Sequence, residues 1–146
     1  PETEEYGITS FIYRRMRPFH PERFWALANR EWGWVIRSKW LFWLASRHDI
    51  AWSWGQAGWS TKVDPAGRWI ASLPTDEIAK YPEYQLELVT HRDNLYLDRR
   101  QELVIITIAD NQEEIEALLD SALLTDEEMV EWPEIWNTYN DNFPKW

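Results

Sequence analysis

Cysteine is absent from the 146 residues. That excludes disulfides, thiol catalysis and cysteine-based zinc sites within this chain. Glycine is scarce, with five residues, none spaced as G-x-x-x-x-G-K-[ST] or G-x-G-x-x-G. Those motifs wrap phosphates in backbone N–H groups, so neither mode of nucleotide binding is available here. The only histidines are His20, His48 and His91. They lack H-x-x-x-H or H-E-x-x-H spacing, and no metal site is expected from them. No serine stands in a G-x-S-x-G context. The apolar runs fall far short of the roughly 20 residues that span a membrane. The opening PETEE is acidic, with no apolar stretch behind it, so no signal peptide is expected. The chain begins at Pro1 rather than Met, which suggests a piece of something longer. The lack of cysteine fits a cytoplasmic protein.

Positive charge is also in deficit. The formal net charge is -10, whereas nucleic-acid binding shows as a basic face. Neither nucleic acid nor membrane is expected as a partner. The imbalance is uneven. Arg14, Arg15, Arg17, Arg23, Arg30, Arg37, Lys39 and Arg47 stand against Glu22 and Glu31 in the first part of the chain, while residues 110–134 contain many acids and no Lys or Arg. The two halves can attract each other within the fold or face different partners.

What is abundant is tryptophan, twelve in all. Trp25, Trp32, Trp34, Trp40, Trp43, Trp52, Trp54, Trp59 and Trp69 crowd one stretch. They form either a Trp-rich core or an exposed aromatic face that docks on another domain or stacks on a ligand.

The apolar pattern predicts a strand over 7–16, stopped by Pro18. A helix then begins at Pro21, with Glu22 in its first turn and Gly33 at its end. Residues 35–46 read as a second strand, apolar on both faces at WLFWL. His48-Asp49 mark a turn. Two short strands follow over 50–56 and 58–64, with Gly55 and Gly58 at bends and Asp64-Pro65-Ala66-Gly67 as a turn. Residues 73–97 are the least regular: a short helix capped by Thr75, then loop. A strong strand runs over 99–109, where Leu103, Ile105, Thr107 and Ala109 alternate with Val104, Ile106 and Ile108. Asn111 with Glu114 is close to a capping box for a helix using Ile115, Leu118, Leu119, Ala122 and Leu123. The aromatic tail WPEIWNTYNDNFPKW is expected to pack back on the domain or on a neighbour.

This order is α+β: a mostly antiparallel sheet of four to five strands with two main helices on one face. The nearest simple topology is a split βαβ, ferredoxin-like relative. Residues 1–146 are expected to form one domain.

Two charged clusters stand out. Arg14, Arg15 and Arg17 lie on and after the first strand, and Asp98, Arg99, Arg100 and Glu102 at the entry to the last. They either solvate strand ends or present a paired-charge surface to a partner, since Arg forks suit carboxylates. In RPFHPERFW, residues 17–25, His20 could serve an enzyme together with Glu22 or Glu102. The physical reading makes the stretch a strand-to-helix junction, with Arg17 and Arg23 the better candidates for partner contact.

GITSFIYRRMRPFHPERFW, KWLFWLASRHDIAWSWGQAG, AGRW, DRRQELVII and the closing FPKW occur in one order. Together they resemble the C-terminal domain of CobW-type P-loop GTPases, the cobalamin-synthesis-protein-like metal chaperones. The likeness runs from Tyr6 to Trp146. It implies a full-length protein whose GTPase domain carries the P-loop, a magnesium site and a Cys-x-Cys-Cys metal motif. GTP binding or hydrolysis would there be coupled to loading zinc or cobalt into a metalloprotein client. This chain would then be the non-catalytic accessory domain, regulating the GTPase domain, recognising the client, or both. Its partners would be the N-terminal GTPase domain and the client, with contacts expected at Arg14, Arg17, Arg23, Arg99, Arg100 and Glu102. It would hold no catalytic, cofactor or metal residue of its own. Two departures from the family pattern are local: Leu97 stands where a glycine often precedes Asp-Arg-Arg, and Gly55 where a serine often precedes Gln-Ala-Gly.

Overall fold

The alternation of Leu103, Ile105 and Thr107 with Val104 and Ile106 demands a strand with two unlike faces. The computed structural model describes residues 7–30, 35–57 and 60–145. In chain order the elements are β1 (Thr9–Arg15), α1 (Pro21–Ala28), β2 (Val35–Phe42), β3 (Ile50–Ala57) and β4 (Ser60–Arg68). A 3-10 turn follows (Ile70–Ser72), then α2 (Thr75–Lys80), α3 (Pro82–Thr90), β5 (Gln101–Thr107), α4 (Gln112–Asp120), α5 (Asp126–Met129) and α6 (Pro133–Trp136). The fold is α+β.

The strands form one sheet in the order β1-β5-β2-β3-β4, and every neighbouring pair is antiparallel. β1 and β2 both run antiparallel to β5, which lies between them, so β1–α1–β2 is a split βαβ unit. β5 buries Gln101, Leu103, Ile105 and Thr107 and leaves Glu102, Val104 and Ile106 half-buried.

The core lies on the first of these faces. Tyr13, Phe42, Trp52, Trp54, Leu103 and Ile105 from the sheet meet Phe24, Leu27 and Ala28 of α1 and Ile115 and Leu119 of α4. Each such side chain contributes about 1.5–3 kcal/mol when fully removed from water. The two helices expected from the pattern, α1 and α4, both pack on this face. A second cluster gathers Trp43, Ala45, Ala51, Trp69, Leu124 and Trp136.

RPFHPERFW is a junction. Phe19 is bridged to both Leu44 and Leu123 and stacks on Phe24 at 4.0 Å with the rings 2° from parallel. The His20 side chain caps α1 through Nδ1, which accepts from the Glu22 N–H at 3.2 Å. Pro21 then opens the helix, where its missing N–H costs nothing.

Several local expectations are corrected. α1 ends at Ala28 with Asn29 as its cap, whose side chain donates back to the Trp25 carbonyl. The proposed stop at Gly33 lies outside the described residues, as does Gly58. Asp64-Pro65-Ala66-Gly67 is no turn. It is part of β4, where a register shift places Trp52 opposite Pro65 and Ala51 opposite Gly67. β4 is an edge strand with a bulge, the setting in which a strand tolerates proline, and Gly67 takes a φ of 143° that suits only glycine. Thr75 is the first residue of α2 rather than its cap, which is Pro74. Residues 82–90 form α3 instead of loop, started by Pro82 at its first position. Asn111 holds the N-cap position of α4 without capping it, because its side-chain oxygen accepts from the Thr107 hydroxyl at 2.8 Å. The true capping box is Thr125–Glu128 on α5.

Leu97, where a glycine would be usual, has a φ of 62°. Asp98 follows, and its carboxylate accepts from the N–H groups of Ile70 and Ala71 at 2.8 and 2.9 Å. The left-handed turn thus aims Asp98 at the 3-10 turn.

Candidate interaction surface

The sheet face opposite the core has an open strip along β1 and β5. Ser10, Ile12 and Arg14 stand opposite Ile106, Val104 and Glu102 there. Ile12 and the flanking Ile8 and Ile108 are exposed, as is Met16 just beyond β1. A ladder of charges crosses one end of this strip. Arg14 Nε lies 3.3 Å and Arg100 Nε 3.4 Å from the same Glu102 oxygen. Arg100 also reaches Glu87 of α3 at 3.9 Å, and Glu87 meets His91 at 3.0 Å. Arg14, Arg15, Met16, His91, Asn94, Arg100, Gln101 and Glu102 line a cleft of about 210 Å³ there. Arg14 is two-thirds exposed, and among the described residues the one carboxylate it pairs with is shared with Arg100. The ladder can therefore accept a further carboxylate from outside at little desolvation cost.

Arg14, Arg100 and Glu102 of the expected contact set come together on this surface. Glu87 and His91 were not singled out in the sequence, because their helix read as loop. Arg17, Arg23 and Arg99 are placed elsewhere, with partners inside the molecule. Arg17 bonds Asp126 and the Leu124 carbonyl. Arg23 forks onto both oxygens of Glu128 at 2.6 and 3.2 Å and also reaches the Leu123 carbonyl. Arg99 is buried and donates to the His48 carbonyl at 2.6 Å. Two further pairs, Arg15–Asp120 at 2.9 Å and Arg47–Asp141 at 2.8 Å, join the same halves of the chain. The basic first half and acidic second half therefore attract each other within the fold. Arg47 also donates to the carbonyls of Phe143 and Pro144, holding the tail down.

Electrostatics follow these contacts. Burial alone would raise the Glu128 carboxyl, but the Arg23 fork and the Thr125 N–H bring it down to about 2. Burial, with the Arg99 charge adding to it, lowers His48 to about 4; its ring sits among Trp43, Tyr96 and Trp136. His20 is also lowered, by burial and then by Arg23. Its ring stacks on Tyr139 at 4.5 Å. His20 thus caps a helix as a neutral imidazole, and Glu102 lies on the other face of the sheet.

Trp43, Trp52, Trp54, Trp69 and Trp136 are buried, while Trp132 is exposed. Of the tryptophans described in the crowded stretch, Trp43, Trp52, Trp54 and Trp69 are core residues and Trp25 is half-buried against the core, so these do not form a stacking platform. Trp32, Trp34, Trp59 and Trp146, and the Trp40 side chain, lie outside what is described. Among the described residues no three His, Cys, Asp or Glu side chains converge as metal ligands, and no helix is long and apolar enough to cross a membrane.

Residues 8–123 match the family model for the cobalamin synthesis protein cobW C-terminal domain. The chain is 40% identical to zinc-regulated GTPase metalloprotein activator 1 of Dictyostelium discoideum, over 97% of this chain and 30% of that protein. It is 32% identical to zinc chaperone Rv0106 of Mycobacterium tuberculosis, over 97% of this chain and 35% of that one. The chain thus spans about a third of the length of these relatives. Its fold is similar to that of the Zn(II)-bound YjiA GTPase from E. coli, with a TM-score of 0.54 at 14% identity, covering 84% of this chain and 32% of that one. By its motifs, its fold and this match, the chain belongs to the CobW C-terminal domain family.

Proposed function

We propose that residues 1–146 act as one non-catalytic accessory domain of a cytoplasmic, GTP-dependent metal chaperone. The domain docks on the GTPase domain of the same protein and helps to recognise a metalloprotein client. GTP, magnesium and the transported zinc or cobalt are handled by the rest of the protein. The observation that carries this reading is the open β1–β5 strip: exposed apolar side chains beside a ladder in which Arg14 and Arg100 share one carboxylate. A partner carboxylate between the two arginines, with an apolar patch over Ile12, would complete the surface.

The test is made in the full-length protein with Ile12→Glu and Arg14→Glu. Ile12 is exposed, so Ile12→Glu leaves the domain's melting temperature nearly unchanged. Arg14→Glu loses its pairing with Glu102 and faces that carboxylate across the strands, so thermal melting checks that it stays folded. The expected result is a change of about tenfold or more in GTPase rate or in client affinity, the size of a lost interface anchor. Unchanged GTPase rate, client affinity and metal delivery in both variants would remove the open strip as the docking surface.

A further inference from the structure

The last acidic stretch carries a second surface that shares no residue with the open strip. Val130 is 83% exposed, Trp132 73% and Ile135 43%. Single exposed apolar residues are ordinary, but these three fall within six positions on a stiff support. The Thr125–Glu128 capping box and the Arg23 fork fix α5. Directly behind, Trp136 is fully buried and its indole N–H donates to the Glu128 carbonyl at 2.9 Å. The backbone that carries the knob is therefore preorganised, which lowers the ordering cost of docking. The acids of α5 are divided: Asp126 and Glu128 are taken by Arg17 and Arg23, whereas Glu127 and Glu134 form no ion pair with Lys or Arg among the described residues, and residues 110–134 contain no Lys or Arg.

We infer that this knob docks Trp132 into an apolar recess rimmed by Lys and Arg on a partner protein. Tryptophan is one of the side chains in which binding anchors are enriched. The unneutralised acids select a basic rim and reject an acidic one.

A Leu/Lys amphipathic helical peptide is the probe, with Leu/Glu and Ser/Lys peptides as counterparts. Binding is read by fluorine NMR of the chain labelled with fluorotryptophan, the Trp132 signal being assigned by its loss in Trp132→Ser. The Leu/Lys peptide is expected to shift that signal and to bind about tenfold more weakly to Trp132→Ser. Its affinity should fall as salt rises. Val130→Asp, also at an exposed position, should weaken binding likewise, and thermal melting checks that both variants fold. The inference is overturned if the variants bind the peptide as well as the parent does, or if the Leu/Glu or Ser/Lys peptide binds as tightly. It is equally overturned if sedimentation shows a dimer of the free chain that Trp132→Ser abolishes, since the knob's occupant is then a second copy.

Discussion

Phe143 lies beyond residue 123, where the family model ends, yet it sits in the main core. It is 2% exposed. Its ring meets Trp25 edge-on at 4.9 Å and lies 6.2, 6.0 and 5.8 Å from Phe24, Phe42 and Trp52. If the C-terminal segment belongs to the folded unit, Phe143→Ala deletes a buried aromatic from a packed cluster, costing about 3–5 kcal/mol. The segment stays held by Arg47, which grips Asp141 and two tail carbonyls, so the cavity cannot simply close by release of the tail. For a chain of this size each kcal/mol moves the melting temperature by about 2–4 °C, so a shift on the order of 10 °C is expected. Urea unfolding should show the loss in the midpoint with the slope unchanged. Trp132→Ser, on the same segment but exposed, should stay within about 0.5 kcal/mol of the parent. A Phe143→Ala loss below about 1 kcal/mol would refute the claim that the tail is part of the core.

Other outcomes follow from single residues. Ala ordinarily outperforms Gly in stability, but at Leu97, held at φ 62°, the order should invert. Leu97→Gly should be more stable than Leu97→Ala by about 1 kcal/mol in urea unfolding, and the usual order would show that the turn is not left-handed. His48 is lowered to about 4 in the fold against about 6.5 when unfolded. Its neutral form is the one the fold favours, so its contribution is complete above about pH 6.5. It is lost as pH falls toward 4, by about 2–3 kcal/mol. The ring faces Arg99, Asp49 and Glu134. Stability measured against pH should lose this step in His48→Phe, whereas the Glu128 contribution falls only at lower pH, between 4.5 and about 2.

Elements whose apolar period is strong were legible in the sequence. β5 alternates without a break, and α4 keeps Ile115 and Leu119 on one buried face. The split βαβ followed from their order. What was not legible depends on contacts distant in sequence. The turn-like composition of residues 64–67 also suits a bulge on an edge strand, and only pairing with β3 decides between them. α3 has no buried residue to give it a period, so Glu87 and His91 were invisible as members of the ladder. The arginine clusters could be seen, but not their division. Arg17 and Arg23 are taken by Asp126 and Glu128, over a hundred residues away, only because the C-terminal segment folds back. Arg14, on the edge strand β1, keeps an exposed side chain although it is paired with Glu102.

The central claim is that the rest of the full-length protein covers the open β1–β5 strip. Met16, 63% exposed and lining the cleft beside Arg14 and Arg100, reports on it directly. The chain's other methionine, Met129, is half-buried against the second cluster and serves as an internal reference. Peroxide oxidation of each can be followed by mass spectrometry in this chain alone and in the full-length protein. The account predicts that Met16 oxidation slows severalfold in the full-length protein, with or without client, while Met129 keeps its rate. Equal Met16 rates in the two, with client present as well, would contradict it.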